Sequence, residues 1–139
     1  MPPRKTLQRK TPMKRGTTRP KRSAYGRGDR GKATRLHSIV VRQKGYCERC
    51  GAPDTKVSLD AAHIIRRSYG ATRADPANGW ALCRSCHSLV DTFADEFAAL
   101  VEKTIGWAGY RRLKRKAQQG VGAKQDWSAQ VEKLQKAVK

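Results

Sequence analysis

The sequence has no long apolar run, and this absence limits where the protein can act. No stretch of its 139 residues approaches the roughly 18 to 20 consecutive apolar residues that a membrane-spanning helix needs. The basic N-terminal stretch is not followed by the apolar segment that a secretion signal contains. We therefore expect neither membrane insertion nor secretion.

Apolar side chains are also scarce overall. Hydrophobic residues make up 37% of the sequence and aromatic residues 6%. A chain of this length can form one modest domain, and a second independent core would not fit. Because the core must be small, we expect an additional cross-link to stabilise it.

Acidic residues are few, and this imbalance indicates the kind of partner. The chain has 31 Lys and Arg against 11 Asp and Glu, which gives a formal charge of +20. Such a surface repels itself until a polyanion neutralises it. Nucleic acid is the favoured partner. An anionic membrane surface is the competing interpretation, but the last predicted helix carries too little charge opposite its apolar face to suit it.

The positive charge is concentrated at the N-terminus. Residues 1–35 contain thirteen basic residues and one acidic residue, with four prolines, four glycines and almost no apolar side chains. Such a segment cannot bury enough surface to offset its chain entropy. We predict a disordered basic arm over residues 1–32, which either contacts phosphates or serves as a solubility tail.

Hydrophobic spacing predicts a mixture of helices and short strands beyond the arm. We expect Trp80 and Phe93 in the core, and Asp126 as the N-cap of the last helix. The predicted elements are a helix over 33–44, strands over 57–65 and 79–82, and helices over 85–105, over 107–118 and after Asp126. The predicted domain spans 33–118, and residues 119–139 form a linker and a C-terminal amphipathic helix.

The four cysteines form two CxxC pairs, Cys47 with Cys50 and Cys83 with Cys86. Two such pairs can surround one Zn²⁺ tetrahedrally, so structural zinc is the favoured interpretation. Two disulfides are the alternative, but nothing in the sequence indicates an oxidising compartment. Four protein ligands leave no open coordination position, so this zinc is expected to stabilise the fold and not to catalyse.

Three candidate site residues lie within or just after the interval between the two pairs: His63, Asn78 and His87. The strings LDAAHII and NGWALCRSCHSLVD resemble the HNH endonuclease motif, and the resemblance runs from about residue 46 to residue 113. Within this family, the sequence resembles small phage HNH proteins and NinG-like recombination endonucleases. The resemblance implies an α+β, ββα-metal fold, and it implies DNA hydrolysis in a bacterial host cytoplasm during phage recombination, replication or packaging.

The resemblance also implies roles for individual residues. His63 would be the general base. Asn78 would hold the loop and orient His63 through its side-chain amide. His87 would bind a catalytic Mg²⁺ or Mn²⁺, and Asp91, one helical turn later, could share that ion. Three arginines are expected to grip DNA phosphates: Arg66, Arg67 and Arg73. A single site would nick one strand, so a homodimer or a phage partner protein is an open possibility. We assign no role to His37.

One position departs from the family pattern. Many members place Asp or His directly before the first histidine as a metal ligand, and here that residue is Ala62. Asp60 shares its face of the strand but lies about 7 Å farther along, so it would reach the ion only through a bulge or a water. We therefore keep two functions open: a metal-dependent DNA endonuclease, and a catalytically inactive zinc-stabilised DNA-binding module.

Overall fold

The structure, a computed structural model, describes residues 25–139. In chain order the elements are α1 (Gly28–Arg42), β1 (Leu59–His63), α2 (Gly70–Arg73), a 3-10 turn (Pro76–Asn78), β2 (Gly79–Cys83), α3 (Arg84–Thr92), α4 (Ala94–Thr104), α5 (Gly106–Gln119) and α6 (Trp127–Ala137). Helices surround one small antiparallel sheet in this part of the chain, which confirms the predicted α+β class. The predicted disorder of the arm falls mostly on residues outside the described range.

The first helix begins earlier than its sequence pattern predicts. We placed its start at residue 33, but α1 starts at Gly28, so residues 28–32 belong to the helix and not to the arm. Asp29 in the first turn suits the positive end of the helix dipole. Gly31 is buried, and a Cβ there would lie 2.3 Å from the carbonyl oxygen of Gly26. The segment that leads into α1 therefore passes close to Gly31, where only glycine leaves room for it.

The two strands form a hairpin with a long connection. They pair antiparallel without a bulge, from Leu59 opposite Cys83 to His63 opposite Gly79. The connection contains α2 and the 3-10 turn, whose N-cap Asp75 accepts a hydrogen bond from the Ala77 amide. The hairpin thus holds the first predicted site histidine at the end of β1.

The predicted single helix over 85–105 is two helices. Phe93 separates α3 from α4 with an extended backbone, at φ −114° and ψ 121°. Its side chain is half exposed, so the prediction of a core position for Phe93 is wrong. The break lets α4 turn and bring Phe97 edge-on against the buried Trp80, with 5.3 Å between the ring centroids. The packing around Trp80 thus overrides the helical periodicity of the sequence.

The core has a main part and a smaller part. Trp80 and Leu82 of β2 are fully buried in the main part, where α3, α4 and α5 contribute apolar residues. In the smaller part, Val131 and Leu134 of α6 pack with Ala33 of α1 and with Ala74. Asp126 caps α6 by accepting a hydrogen bond from the Ala129 amide, as the sequence predicts. None of the helices within residues 25–139 is both long enough and apolar enough to cross a bilayer.

Candidate active site and zinc site

The four cysteines converge on one point. Their sulfur atoms all lie within 4.8 Å of one another, and Sγ of Cys50 is 3.9 Å from Sγ of Cys83. Four sulfurs placed about 2.3 Å from a central Zn²⁺ would be about 3.8 Å apart, so the observed spacing fits a tetrahedral zinc site. No cysteine is in a disulfide. The residues present therefore match structural zinc and not the disulfide alternative.

The electrostatics of the four thiols also favour a bound cation. A hydrogen bond from Ser85 lowers the pKa of Cys83 to about 6. Burial raises the pKa of Cys86 to about 12, and the neighbouring sulfurs contribute to the same shift. Thiolates packed this closely repel one another unless a positive ion lies between them. Arg49 lies at the edge of the cluster and donates to Cys86 and to Glu96 of α4, which ties the first CxxC pair to the helical layer.

His63 has a defined orientation. Its Nε2 is 2.9 Å from the backbone carbonyl oxygen of Arg73. A carbonyl oxygen only accepts hydrogen bonds, so Nε2 carries the proton and Nδ1 keeps the lone pair. Burial lowers the pKa of His63 below its usual value, and the charges of Arg67 and Arg73 act in the same direction. The ring is therefore neutral at pH 7 and has one nitrogen able to accept a proton.

Asn78 holds the loop that supplies this carbonyl. It is fully buried, it accepts a hydrogen bond from the Ile65 amide, and it donates to the carbonyl oxygens of Ile65 and Thr72. The predicted loop-holding role therefore has a direct geometric basis. The Asn78 amide makes no hydrogen bond to His63, so its hydrogen bonds act on that ring through the backbone at residues 65 and 72.

His87 lies between two carboxylates. Its Nδ1 is 3.1 Å from Asp60 Oδ2, and its Nε2 is 3.3 Å from Asp91 Oδ2. The pairing with Asp91 follows the predicted helical turn. Asp60 reaches His87 directly, although β1 has no bulge. Ala62, at the position where many HNH proteins carry a ligand, is buried in the core.

A divalent ion fits the donor set around His87. Carboxylate oxygen is a ligand that Mg²⁺ and Mn²⁺ prefer, and imidazole nitrogen is a common ligand of divalent transition metals. One ion can bind only one nitrogen of the ring. One carboxylate would then share the ion, and the other would orient the ring through the second nitrogen.

The predicted phosphate-binding arginines divide into two groups. Arg66 and Arg67 are exposed on the loop after β1. Arg73 is buried, and its guanidinium donates to Thr34, to the Arg67 carbonyl and to the Tyr25 carbonyl. The expectation of a phosphate contact at Arg73 is therefore wrong, because its hydrogen bonds face inward and tie the loop to α1 and the segment before it.

The structure adds a residue to which the sequence assigned no role. His37 of α1 is fully buried and stacks on His63, with 4.7 Å between ring centroids and 23° between the planes. The signal that could have revealed it is its spacing. Ala33, His37 and Val41 follow one another every four residues, and all three are buried. A histidine in that stripe faces inward.

The site consists of two clusters along β1. His63 lies with His37 and the Arg73 carbonyl, and Asp60 lies with His87 and Asp91. Within residues 25–139 no hydrogen bond joins His63 to His87. Asp60 and His63 are three residues apart, about 10 Å along a strand, and they project from opposite faces. In the described sheet β1 pairs only with β2, so no second strand covers its other edge.

A cavity opens next to this part of the hairpin. Its volume is about 470 Å³, and it lies between the loop after His63 and the helical layer. Among the residues that line it are Ile65, Arg66, Tyr69, Phe97, Tyr110 and Lys114. The cavity therefore combines aromatic walls with two cations, beside the loop that Asn78 holds.

These features define a β-hairpin and a helix with four converging cysteines that could hold zinc, with a histidine that has an available lone pair, and with a separate histidine-carboxylate cluster. A family model described as HNH endonuclease matches residues 47–92, about a third of the chain. The matched segment contains both CxxC pairs and the site residues His63, Asn78, His87 and Asp91. No curated protein and no solved structure matches the chain.

Proposed function

We propose that this protein is a metal-dependent DNA endonuclease that hydrolyses phosphodiester bonds. The observation that carries the proposal is the orientation of His63 within the segment that matches the HNH model. Hydrolysis at neutral pH needs a group that removes a proton from water as the water attacks phosphorus. Nδ1 of His63 is unprotonated and can accept this proton, because the ring is held at Nε2 by the Arg73 carbonyl.

His63 acts as the general base in this proposal. As Nδ1 takes the proton, the water oxygen bonds to phosphorus and the bond from phosphorus to the 3′ oxygen breaks. The departing 3′ oxygen takes a proton from solvent water, and His63 later returns its own proton to solvent. The products carry a 5′ phosphate and a 3′ hydroxyl. The positive charge that develops on the ring is partly stabilised by the Nε2 hydrogen bond to the Arg73 carbonyl.

The proposed holders of the catalytic ion are His87 and Asp91, while Asp60 orients the His87 ring through Nδ1. A bound Mg²⁺ or Mn²⁺ would neutralise charge on the phosphate and stabilise the departing oxygen. Asp60 is added to the expected set as the residue that orients His87, and not as a replacement for the ligand missing at Ala62. With few protein ligands, affinity for the free ion is expected to be weak.

Positive side chains provide the proposed DNA contacts. Arg66 and Arg67 are exposed on the loop that directly follows His63, and Lys114 lines the neighbouring cavity. The exposed side of α5 adds Arg111, Arg112 and Arg115. Such contacts fix the position of a strand without reading its sequence.

The biological setting that we propose rests on the sequence resemblance alone. It is a bacterial host cytoplasm, where a phage-encoded enzyme would act in recombination, replication or packaging of DNA. One site of this kind cuts one strand. Double-strand breaks would then require a second protomer, a phage partner protein or a second encounter.

Plasmid nicking tests the proposal. Supercoiled plasmid is incubated with the zinc-loaded protein, with Mg²⁺ or Mn²⁺ supplied separately, and the reaction is stopped with EDTA. We expect a nicked band that needs the added ion and is lost in His63→Ala and His87→Ala. Asp95→Ala, which removes an exposed carboxylate of α4, is the matched control for Asp91→Ala and should leave nicking unchanged.

The inactive DNA-binding module is the second candidate, and Ala62 is the observation that favours it. It predicts DNA binding with no ion-dependent nicking at any protein concentration. Nicking that survives in His63→Ala would instead show that another group, or a contaminant, activates the water.

A further inference from the structure

We propose that His37 is a positioning residue that holds the ring plane of His63 and so aims Nδ1 at the substrate. The inference rests on the proposed function, in which His63 is the general base. Its structural basis is the stacked contact between the two imidazoles, with centroids 4.7 Å apart and planes 23° from parallel. The two rings come from different elements, α1 and the end of β1.

A second constraint on the His63 ring is needed because the first is incomplete. The hydrogen bond from Nε2 to the Arg73 carbonyl fixes one atom of the ring. Terminal ring torsions of histidine are broad, so the ring can still tilt about that bond and swing Nδ1. A flat partner against one face removes this freedom. A nitrogen that must meet a particular water within hydrogen-bond distance benefits from such restriction.

The structure makes room for His37 in a specific way. Gly79 is the residue of β2 directly opposite His63, and it has no side chain to occupy the space. A Cβ at Gly79 would lie 2.4 Å from Cγ2 of Val41 and 3.2 Å from Nε2 of His37. The backbone of Gly79 is extended at φ −148°, a conformation open to any residue. Close approach of α1 is therefore what requires glycine there.

His37 is buried without hydrogen-bond partners. Its exposed fraction is 0%, and neither ring nitrogen makes a hydrogen bond of good geometry to the described residues, although the Asp75 backbone lies close enough to influence the ring. A buried polar group without a partner costs stability, so a purely structural position would favour an apolar side chain. Stacking against His63 is the one ring contact that His37 makes in the described part of the chain.

The neutral state of His37 is part of the inference. Burial and the adjacent His63 lower its pKa to about 4, and Lys44 acts in the same direction, while Asp75 opposes the shift. The charges that face His63 are those of Arg67 and Arg73. His37 therefore does not compete for the proton that His63 takes, and it offers a neutral ring face to the imidazolium that forms.

Two bulky apolar substitutions of His37 distinguish the effect of a flat ring from the effect of filling the buried space. His37→Leu keeps an apolar side chain in the buried space but has no flat face. His37→Phe keeps a flat face without ring nitrogens. Because the nitrogens of His37 have no partners, neither change leaves a hydrogen-bonding group unpaired. Val41→Ala, one turn along the same buried stripe, is the control for general loosening of this packing.

The test uses the full zinc-loaded chain and measures both kinetics and the His63 ring. We expect kcat for plasmid nicking to fall at least tenfold in His37→Leu with KM within twofold, and to stay within about threefold in His37→Phe. Nitrogen-15 spectra of His63 should show one Nε2–H tautomer in the wild type and in Val41→Ala, and a mixture in His37→Leu. The acidic limb of the pH profile of kcat should move to higher pH in His37→Leu. Water that enters a looser site reduces the desolvation that lowers the pKa of His63.

Two results would overturn the proposal. One is a folded His37→Leu variant with unchanged kcat and a single His63 tautomer. The other is a folded His37→Phe variant that loses activity to the same extent as His37→Leu. The spectra do not require cleavage, so a chain that never nicks DNA would refute the proposed nuclease function and still reveal whether His37 orders the ring.

Discussion

At the scale of single residues, buried polar side chains organise the loop between the strands. Asn78 makes three hydrogen bonds to backbone atoms of this loop and has no exposed surface. Arg73 donates to the Arg67 carbonyl within the loop and to Thr34 Oγ1 and the Tyr25 carbonyl outside it, and its own carbonyl accepts from the His63 ring. Because these buried groups are satisfied inside the protein, they fix the loop in addition to the short helical turns that it contains.

His37 gives a prediction about stability and pH. Its pKa is about 4 in the folded protein and 6.5 as the unperturbed value. The unfolded state therefore binds more protons than the folded state between these values, and the free energy of unfolding falls as pH drops from 6.5 to 4. A pKa difference of this size corresponds to about 3 kcal/mol in the free energy of unfolding. Urea denaturation at pH 7.5, 5.5 and 4.5 measures it.

His37→Phe is the control for that measurement. A phenyl ring cannot be protonated, so the variant should lose less stability than the wild type over the same pH range. Parallel curves for the two proteins would show that other groups, such as the zinc thiolates, account for the pH dependence.

At the scale of elements, Arg73 connects the loop to α1 and to the segment before it. Arg73→Ala removes hydrogen bonds to Thr34 and Tyr25 and leaves their oxygens without this donor. We expect a loss of about 2 to 4 kcal/mol in the free energy of unfolding, with the salt dependence of DNA binding unchanged. Chemical denaturation and binding titrations at several salt concentrations provide the two measurements.

Arg66→Ala is the contrasting variant. Arg66 is exposed, so its removal should change stability little, weaken DNA binding and make the salt dependence less steep by about one phosphate contact. If Arg73→Ala instead weakened DNA binding without lowering the free energy of unfolding, the inward placement of the Arg73 guanidinium would be wrong.

The zinc site joins elements that are distant in sequence. The first CxxC pair precedes β1, and the second spans the end of β2 and the start of α3. We expect one Zn²⁺ per chain by elemental analysis. Chelation or Cys83→Ser should remove the zinc and the cooperative unfolding transition, because ligand binding contributes directly to folding in small zinc domains.

Asp91→Ala serves as the control, since Asp91 lies with His87 and outside the cysteine cluster. It should retain the zinc and the unfolding transition. A protein that unfolds cooperatively with no bound metal would contradict the structural role of the four cysteines.

At the scale of the whole molecule, the excess of positive charge predicts how binding responds to salt. Substituting Arg9, Lys10, Lys14 and Arg15 with Ala in the full chain tests the N-terminal segment. If these side chains contact phosphates, the slope of log K against log salt should become less negative by up to about 3 to 4. Fluorescence anisotropy of labelled DNA measures the slope.

A matched quartet near the C-terminus provides the comparison: Lys124, Lys133, Lys136 and Lys139. We expect a smaller change when these are substituted. An unchanged slope for the N-terminal quartet would favour the solubility-tail interpretation of the arm.

Sequence patterns predicted those features that depend on neighbouring residues. The CxxC spacing predicts that the four cysteines converge, and the position of Asp126 before an apolar stripe predicts a helix cap; the structure shows both. The break at Phe93 was missed, because the extended backbone there serves the contact between Phe97 and Trp80. Periodicity within one segment contains no information about such a partner.

Composition, cysteine spacing and the order of His63, Asn78 and His87 by themselves determined a basic protein with two paired cysteine motifs able to bind zinc and with the residue order of an HNH domain. Only the tertiary structure decided which side chains meet. It stacked His37 on His63, placed Asp60 against His87 and turned Arg73 inward. The physical reason is that zinc ligation in CxxC pairs and helix capping act over a few residues, whereas contacts between α1, β1 and α3 arise only when the chain packs around its small core.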